Sequence, residues 1–341
     1  MGHLLIDAAR GLPVPRTPVW IMRQAGRYQA EYQAIRAKHS FLEVCHTPEL
    51  ACKVTLIPRD LLNPDGLIIF SDILVPLEAM GLDLDFIAGK GPVIANPVRN
   101  AQDIKRLRLY DANVATKFLP DAIRAVRTAV NDEYPVLGFA GAPYTLACYA
   151  IEGGTARHYH RPKAWMLNDP TSFDRLMSKF ADAVVDLLSA QIEAGASLVQ
   201  LFDTWAGNLM PHHFEQYALP YVQRIIEQLK RYNVPIVYFM NGVSGKLHHM
   251  ISSGADVIGI DWRVDLADVR RTFGQRIVLQ GNLDPSVLLA DTKAITSGVA
   301  DILKANGTGP QIFNLGHGIT PTVPVANARH LVDEVKRLSA V

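Results

Sequence analysis

The stretch GLIIFSD (residues 66–72) is short, almost wholly apolar, and ends in two polar residues. A β-strand that is buried on both faces has this pattern, because strands of a parallel sheet pack against helices on each side. The same form recurs at residues 135–139, 197–202, 235–239, 256–260, 276–280 and 311–315. The sequence therefore predicts seven buried parallel strands.

Amphipathic helices are predicted between several of these strands, and the clearest covers residues 171–194. Its apolar residues recur at helical spacing, and Thr171 with Asp174 forms a start signal. Gly195 supplies the stop signal. A second helical region, residues 40–62, is expected to break at its two prolines, because proline lacks the N–H that a helix interior needs.

Strands that alternate with helices form either an open, doubly wound sheet or a closed barrel. A dinucleotide-binding open sheet has a Gly-x-Gly-x-x-Gly turn after its first strand, and no predicted strand here is followed by one. The sequence thus favours an α/β fold with a single (β/α)8 TIM-type barrel, regular or distorted, over residues 1–341. The eighth strand is unassigned, with residues 19–22 as the candidate, and a hairpin is expected around residues 89–92.

Composition limits the classes of function. The chain has 34 basic and 33 acidic residues, so it has no bulk field that would attract nucleic acid or an anionic membrane. Hydrophobic residues make up 49% of the chain, yet no run approaches the roughly 20 apolar residues of a membrane span. Three cysteines and an N-terminus without export features predict a cytoplasmic protein with reduced thiols.

The stretch PVWIMRQAGRY (residues 18–28) places two arginines four residues apart. A guanidinium group matches a carboxylate at two points, so Arg23 and Arg27 together point to a polyanionic ligand. Gly26 between them favours a loop that can approach a ligand closely. The alternative is an exposed pair of Arg27 with Glu31, which would say nothing about function.

The active site of a (β/α)8 barrel lies at the carboxyl ends of its strands. Candidate residues are therefore Asp72, the turn at 141–144, Asp203, Thr204, Asn241, Asp261, Asn282, Asp284 and His317. For Asp72 the alternative is a helix N-cap. His317, which lies between two glycines, is a candidate metal ligand, proton carrier or hydrogen-bond partner, because imidazole titrates near neutral pH, and the alternative is simple packing in a tight turn.

Residues 18–28, followed by Arg36, strongly resemble the N-terminal signature of the uroporphyrinogen decarboxylase family of tetrapyrrole biosynthesis. The resemblance continues in order through residues 70–74, 138–143, 149–154, 200–207 and 314–318. It implies a cofactor-independent enzyme without a metal, in which the four acetate arms of uroporphyrinogen III become methyl groups. The products would be coproporphyrinogen III and CO₂, and the family works as a homodimer.

The resemblance also implies roles for single residues. Asp72 matches the central catalytic residue of the family, and Arg23 and Arg27 are expected to act with it and to bind substrate carboxylates. Further substrate contacts are expected from Gln24, Ala25, Gly26, Arg36, Phe139, Tyr149, Thr204 and His317. Phe139 and Ala25 would supply backbone groups or a wall. A surface role for Arg36, and packing roles for Tyr149 and Thr204, are the alternatives.

The chemistry explains why a carboxylate is needed. A pyrrole is electron-rich and releases CO₂ from an acetate arm only after a carbon of the ring is protonated. The ring then becomes a cation. A fixed carboxylate at position 72, facing the ring NH groups, stabilises that cation more than the neutral ground state, which lowers the barrier.

Two other functions are considered. Corrinoid-linked methyltransferases resemble this barrel and use zinc with late His and Cys ligands, whereas no cysteine follows Cys148 here. A non-catalytic tetrapyrrole carrier would keep the arginines with little need for Asp72. The histidine pairs and the group of Cys45, His46 and Cys52 form no complete zinc-binding set, so no metal site is expected.

Overall fold

The computed structural model describes residues 3–87 and 89–340. Its strands are β1 (Leu67–Ile68), β2 (Leu84–Ile87), β3 (Gly91–Ile94), β4 (Val136–Gly141), β5 (Leu198–Phe202), β6 (Ile236–Phe239), β7 (Val257–Gly259), β8 (Val278–Gln280) and β9 (Gln311–Ile312). The helices that precede β4 are α1 (Leu4–Ala9), α2 (Ala30–Arg36), α3 (Phe41–His46), α4 (Pro48–Leu62), α5 (Val75–Ala79), α6 (Ala112–Ala115) and α7 (Phe118–Val130).

The later helices are α8 (Pro143–Glu152), α9 (His160–Asn168), α10 (Pro170–Glu193), α11 (Pro211–Tyr217), α12 (Leu219–Leu229), α13 (Leu247–Ile251), α14 (Leu266–Phe273), α15 (Thr292–Asn306) and α16 (Val325–Leu338). Short 3₁₀ helices cover Asp103–Arg106, Ala206–Asn208, Lys230–Tyr232 and Pro285–Leu289. Helices thus alternate with strands along most of the chain, as an α/β barrel requires.

Seven strands form one parallel sheet in the order β1-β4-β5-β6-β7-β8-β9. The register places Leu67 opposite Val136 and Phe139 opposite Gln200. All seven strands predicted from the sequence are confirmed. The expected hairpin is confirmed as well, because β2 and β3 pair antiparallel.

The segment at residues 18–22 occupies the eighth position of the barrel. Val19 forms a parallel bridge with Phe313, whose N–H donates to the Pro18 carbonyl at 2.8 Å. On the other side, the N–H of Asp65 donates to the Val19 carbonyl at 2.7 Å. The segment therefore lies between β9 and the start of β1, and it closes the barrel as the candidate eighth strand.

Side chains fill the barrel interior. Trp20 is fully buried there, in a cluster that includes Leu198 and Val257. The Trp20 indole N–H donates to Gln280 Oε1 at 3.0 Å, and Gln280 Nε2 donates to Gln200 Oε1 at 3.0 Å. A larger apolar cluster lies between the strands and the outer helices, so the interior is a packed core rather than a pore.

The long helix α10 confirms the prediction over residues 171–194. Its predicted start signal, Thr171–Asp174, is wrong. The carboxylate of Asp169 accepts the N–H of Ser172 at 3.1 Å, and Pro170 takes the first helical position. Proline is favoured there because the first N–H of a helix needs no partner within it.

The predicted helical region over residues 40–62 divides as expected at Pro48, which begins α4. The second expected break is wrong, because Pro58 lies inside α4 and the helix continues to Leu62. Burial of the face that carries Val54 and Leu62 stabilises the helix despite the missing N–H.

In the part of the chain that the structure describes, no helix is both long enough and apolar enough to cross a membrane. That the whole of residues 1–341 forms one domain stays a prediction.

Candidate active site

Gln24 anchors the loop at residues 21–29. It is fully buried, and its Nε2 donates to the Gly66 carbonyl at 3.2 Å. The backbone carbonyl of Gln24 accepts the Tyr28 hydroxyl at 2.6 Å and Gln29 Nε2 at 2.8 Å. The side chain has no exposed surface and holds the loop, and the expected substrate contact of Gln24 stays a prediction.

Arg23 and Arg27 are exposed on this loop. Arg23 has a left-handed backbone, with φ of 64°, which is uncommon for a residue with a Cβ. Its side chain lies against Gly318, where an added Cβ would be 2.8 Å from Arg23 Cγ. The arginine loop and the turn at 316–318 therefore meet, although they are far apart in the sequence.

The alternative pairing for Arg27 is not observed. Within residues 3–87 and 89–340, no ion pair joins Arg27 to Glu31. The neighbouring residues shape the loop. Gly26 donates its N–H to Gln29 Oε1 at 3.1 Å, and Ala25 packs on an apolar cluster that includes Tyr32.

Asp72 lies in the turn between β1 and α5. Its Oδ1 accepts the N–H of Leu74 at 2.8 Å, whereas the N-cap of α5 is Leu74 itself. The helix-cap alternative is therefore wrong in detail, because Asp72 closes the turn before the helix. Burial raises the pKa of Asp72 to about 6, with the Leu74 N–H and Arg23 lowering it and Glu78 raising it. The residue is nevertheless partly exposed, so its carboxyl group is open to a ligand on one side.

His317 is partly buried beside the edge of Trp262, with ring centroids 6.2 Å apart. Burial, together with the charges of Arg23 and Arg263, lowers the pKa of His317 to about 4. The imidazole is consequently neutral at physiological pH. A neutral ring can hydrogen-bond a carboxylate but offers no readily transferred proton, which agrees with the predicted contact role.

Tyr149 on α8 lies near the same residues. Burial is the main cause that raises its pKa, the charge of Asp72 raises it further, and Arg23 lowers it. The Tyr149 ring packs edge-on against Trp205 at 6.0 Å and Tyr159 at 6.1 Å between centroids. Arg23, Asp72 and Tyr149 are thus close enough to influence one another electrostatically.

Thr204 lies two residues after β5 and is partly exposed near the carboxyl end of that strand. Its neighbour Trp205 contacts Tyr149, so the two hydroxyl-bearing residues are linked through one aromatic side chain. The structure brings Thr204 to the same side of the barrel as Tyr149.

Phe139 forms part of an aromatic row. Its ring meets Phe202 edge-on at 5.6 Å, and Phe202 meets Phe239 edge-on at 5.8 Å. The backbone N–H and C=O of Phe139 are both bound by the side chain of Gln191, at 2.8 Å and 2.9 Å. Its backbone groups are therefore occupied, and only the ring remains to form a wall.

Arg36 is half-buried on α2. Its guanidinium donates to the His39 carbonyl and lies 5.8 Å from the ring centroid of Phe41. Burial raises the pKa of the Cys45 thiol, which Asp72 raises further and Arg36 lowers. Arg36 and Asp72 are thus both neighbours of Cys45, although local contacts already engage the guanidinium.

Sequence reasoning missed Trp205 and Tyr159 and gave Asp203 no role beyond a strand end. Trp205 has a weak signal, since it follows Thr204 in a motif that was already identified. Tyr159 has no sequence signal. Its backbone is left-handed, with φ of 51°, and its ring packs on Trp205 at 4.6 Å between centroids, a contact between residues that are distant in the sequence.

The three cysteines, Cys45, Cys52 and Cys148, are free and buried. Among the described residues, no group of three or more His, Cys, Asp or Glu side chains is placed to hold a metal ion. The histidine pair His248 and His249, whose ring centroids lie 3.8 Å apart, is therefore not part of such a group.

The chain matches one family of known proteins over nearly its whole length. The family model described as uroporphyrinogen decarboxylase (URO-D) matches residues 2–338. A curated uroporphyrinogen decarboxylase from Geobacter sulfurreducens is 46% identical over 340 residues, which cover 99% of each chain. Another, from Gloeobacter violaceus, is 44% identical over 340 residues, covering 99% of this chain and 98% of the relative.

A solved structure of a methyltransferase from Methanosarcina mazei superimposes with a TM-score of 0.82. Its sequence is 19% identical, and the match covers 98% of this chain and 97% of that one. This similarity supports a shared fold and carries no information about activity.

Proposed function

The chain belongs to the uroporphyrinogen decarboxylase family, and from this premise we propose that residues around Asp72 convert uroporphyrinogen III to coproporphyrinogen III. The chain is a decarboxylase of porphyrin biosynthesis, as its relatives at 44% and 46% identity support. One observation carries the assignment of the site. The partly exposed Asp72 carboxyl lies in the turn after β1, at a strand end of the barrel, within reach of the charge of Arg23.

Substrate binding is assigned to the arginine loop. Arg23 and Arg27 are exposed, and each presents a fork of N–H donors that matches a carboxylate arm. His317, neutral at physiological pH, donates a hydrogen bond from its ring N–H to the carboxylate of another arm. Arg36 adds a further carboxylate contact once its guanidinium leaves the His39 carbonyl.

Polar and apolar contacts to the macrocycle come from the strand ends. Tyr149 and Thr204 present hydroxyl groups, and the aromatic row of Phe139 and Phe202 provides an apolar wall for the flat part of the ring. Such a site combines a few placed polar groups with apolar walls, which is typical of small-molecule pockets.

Asp72 is assigned to the pyrrole NH groups. When a ring carbon is protonated, the ring becomes cationic, and the carboxylate stabilises this charge more than the neutral ring. The bond between the acetate CH₂ and its carboxyl carbon then breaks, CO₂ leaves, and the electron pair forms a double bond between the CH₂ and the ring, which neutralises the cation. Protonation of this CH₂ and loss of the proton first added to the ring then leave a methyl group, so one proton replaces each CO₂.

The test is anaerobic incubation of the purified chain with uroporphyrinogen III, with and without a chelator, while CO₂ release is followed. We expect equal CO₂ release in both conditions, and a loss of about 100-fold or more in Asp72→Asn, because an electrostatic group of this kind contributes on that scale. Loss of activity with the chelator contradicts the metal-free assignment. Unchanged turnover in Asp72→Asn contradicts the role of this carboxylate.

The proposal also includes a homodimer and the absence of a cofactor, both expected from the family resemblance, and a cytoplasmic location, expected from the cysteines and the N-terminal sequence. Size-exclusion chromatography with light scattering tests the first of these. A mass equal to one chain at assay concentration excludes the dimer.

A further inference from the structure

Asp203 is a fully buried carboxylate next to Thr204. Its Oδ1 accepts the Thr145 hydroxyl at 2.8 Å, and its Oδ2 accepts the Tyr238 hydroxyl at 2.8 Å. A buried carboxylate is tolerated only when it is hydrogen-bonded. Burial raises the pKa of Asp203 to about 6, and both hydroxyls lower it.

Thr145 makes a second bond from the same hydroxyl. Its Oγ1 accepts the backbone N–H of Trp205 at 3.1 Å. Thr145 therefore holds the chain on both sides of Thr204, through the side chain of Asp203 and the backbone of Trp205. Thr145 is fully buried on α8, so it has no surface with which to touch a substrate.

The same helix carries Tyr149. Residues four apart on a helix lie on one face, so Thr145 and Tyr149 point to the same side of α8. Trp205, held by Thr145, packs against the rings of Tyr149 at 6.0 Å and Tyr159 at 4.6 Å. One hydrogen-bond network thus connects the two elements that bear the hydroxyls of Thr204 and Tyr149.

We propose that Asp203 and Thr145 are positioning residues, which fix where Thr204 and Tyr149 present their hydroxyl groups to the substrate. The inference rests on the proposed contacts of Thr204 and Tyr149 with the tetrapyrrole. A displacement of about 1 Å in a positioning group lowers the rate by about 100-fold. Loss of the Thr145 hydroxyl is therefore expected to lower activity by displacing Thr204 and Tyr149, although Thr145 itself does not touch the substrate.

The deciding variants are Thr145→Val and Thr145→Ser, with kcat and KM measured by CO₂ release and Tm by circular dichroism. We expect Thr145→Val to lower kcat/KM by about 10- to 100-fold. Serine keeps the hydroxyl, so Thr145→Ser retains activity within about threefold of the wild type. Asp203→Asn is also expected to lower kcat/KM. If this variant does not fold, the comparison of Thr145→Val with Thr145→Ser decides.

A double variant separates positioning from general damage. If Thr145 acts partly through Tyr149, the losses of Thr145→Val and Tyr149→Phe do not multiply in the double variant. Multiplying losses contradict that coupling. An equal loss in Thr145→Ser and Thr145→Val contradicts a role for the hydroxyl.

Tyr221 provides a matched control, because its hydroxyl donates to Asp174 at 2.7 Å between the outer helices α12 and α10. Tyr221→Phe removes a similar bond between two outer helices, at a residue that has no part in the proposed site, so we expect a lower Tm with unchanged kcat/KM. A Thr145→Val variant that behaves like Tyr221→Phe overturns the inference. An inactive wild-type chain instead overturns the proposed substrate.

Discussion

At the residue scale, Asp72 combines a carboxyl charge with surroundings that disfavour it. Burial raises its pKa to about 6, and Arg23 lowers it. The carboxylate must be ionised to stabilise a cationic ring, so kcat/KM should fall as the pH drops through about 6. A pH profile of kcat/KM checks this acid limb. Arg23→Gln removes the nearby positive charge, so we expect the limb to move to higher pH, and an unmoved limb excludes Asp72 as its source.

The same carboxyl predicts an effect on stability. Because the pKa of Asp72 in the folded state, about 6, lies above its ordinary value of 3.8, the charged group destabilises the native state at pH above about 6. Asparagine is uncharged and can still accept the Leu74 N–H. We therefore expect Asp72→Asn to raise Tm at pH 7.5, with the difference vanishing below pH 4. A lower Tm at pH 7.5 would show that the charge stabilises the fold.

Single residues also show where sequence reasoning reached its limit. The family motif identified Arg23, Asp72, Tyr149 and His317, and all four lie on one side of the barrel. Gln24 belongs to the same motif, yet its side chain binds a carbonyl 42 residues away. Residue type alone cannot distinguish a polar side chain that faces a ligand from one that faces the protein.

At the scale of elements, the turn at 316–318 and the arginine loop depend on each other. A Cβ at position 318 would lie 2.8 Å from Arg23 Cγ. Gly318→Ala should displace the arginine and lower kcat/KM at least about tenfold. Gly298→Ala on α15 is the control, because there the added Cβ meets the side chains of Leu283 and Val287 and no residue of the proposed site. Wild-type kcat/KM in Gly318→Ala would mean that the position of Arg23 does not matter.

Strands were more predictable than helix starts. A parallel strand that is buried on both faces is apolar in itself, so the seven strands were legible without tertiary information. The start of α10 depends on Asp169, a cap that lies outside the apolar pattern. The left-handed backbones of Arg23 and Tyr159 are set by contacts that are distant in the sequence.

At the scale of the whole molecule, the barrel is closed by a short segment instead of a full strand. Asp65, whose side chain is 9% exposed, receives Arg16 Nη1 at 2.8 Å and Nη2 at 2.5 Å. Its Oδ2 also accepts the Val19 N–H at 2.8 Å. This carboxylate therefore connects residues 18–22, which fill the eighth position of the barrel, to the chain just before β1. Val19, which it binds, lies four residues before Arg23.

Asp65→Ala removes a two-point ion pair and leaves Arg16 and the Val19 N–H without their partner. Breaking a largely buried pair on one side destabilises by about 3 kcal/mol, and about 1 kcal/mol shifts Tm by roughly 2–4 °C in a chain of this size or somewhat smaller. We expect Tm to fall by about 5–10 °C, and kcat/KM to fall as well, because residues 19–22 lead directly into Arg23.

Asp121 on α7 supplies the comparison, since its ion pairs with Lys117 and Arg124 lie on the surface. Exposed pairs contribute about 0–1 kcal/mol, so Asp121→Ala should change Tm by no more than a few degrees and leave kcat/KM unchanged. Thermal unfolding followed by circular dichroism measures both variants under identical conditions. Equal, small shifts in Tm would show that the barrel closes through the Val19–Phe313 pairing and side-chain packing alone, without the carboxylate of Asp65.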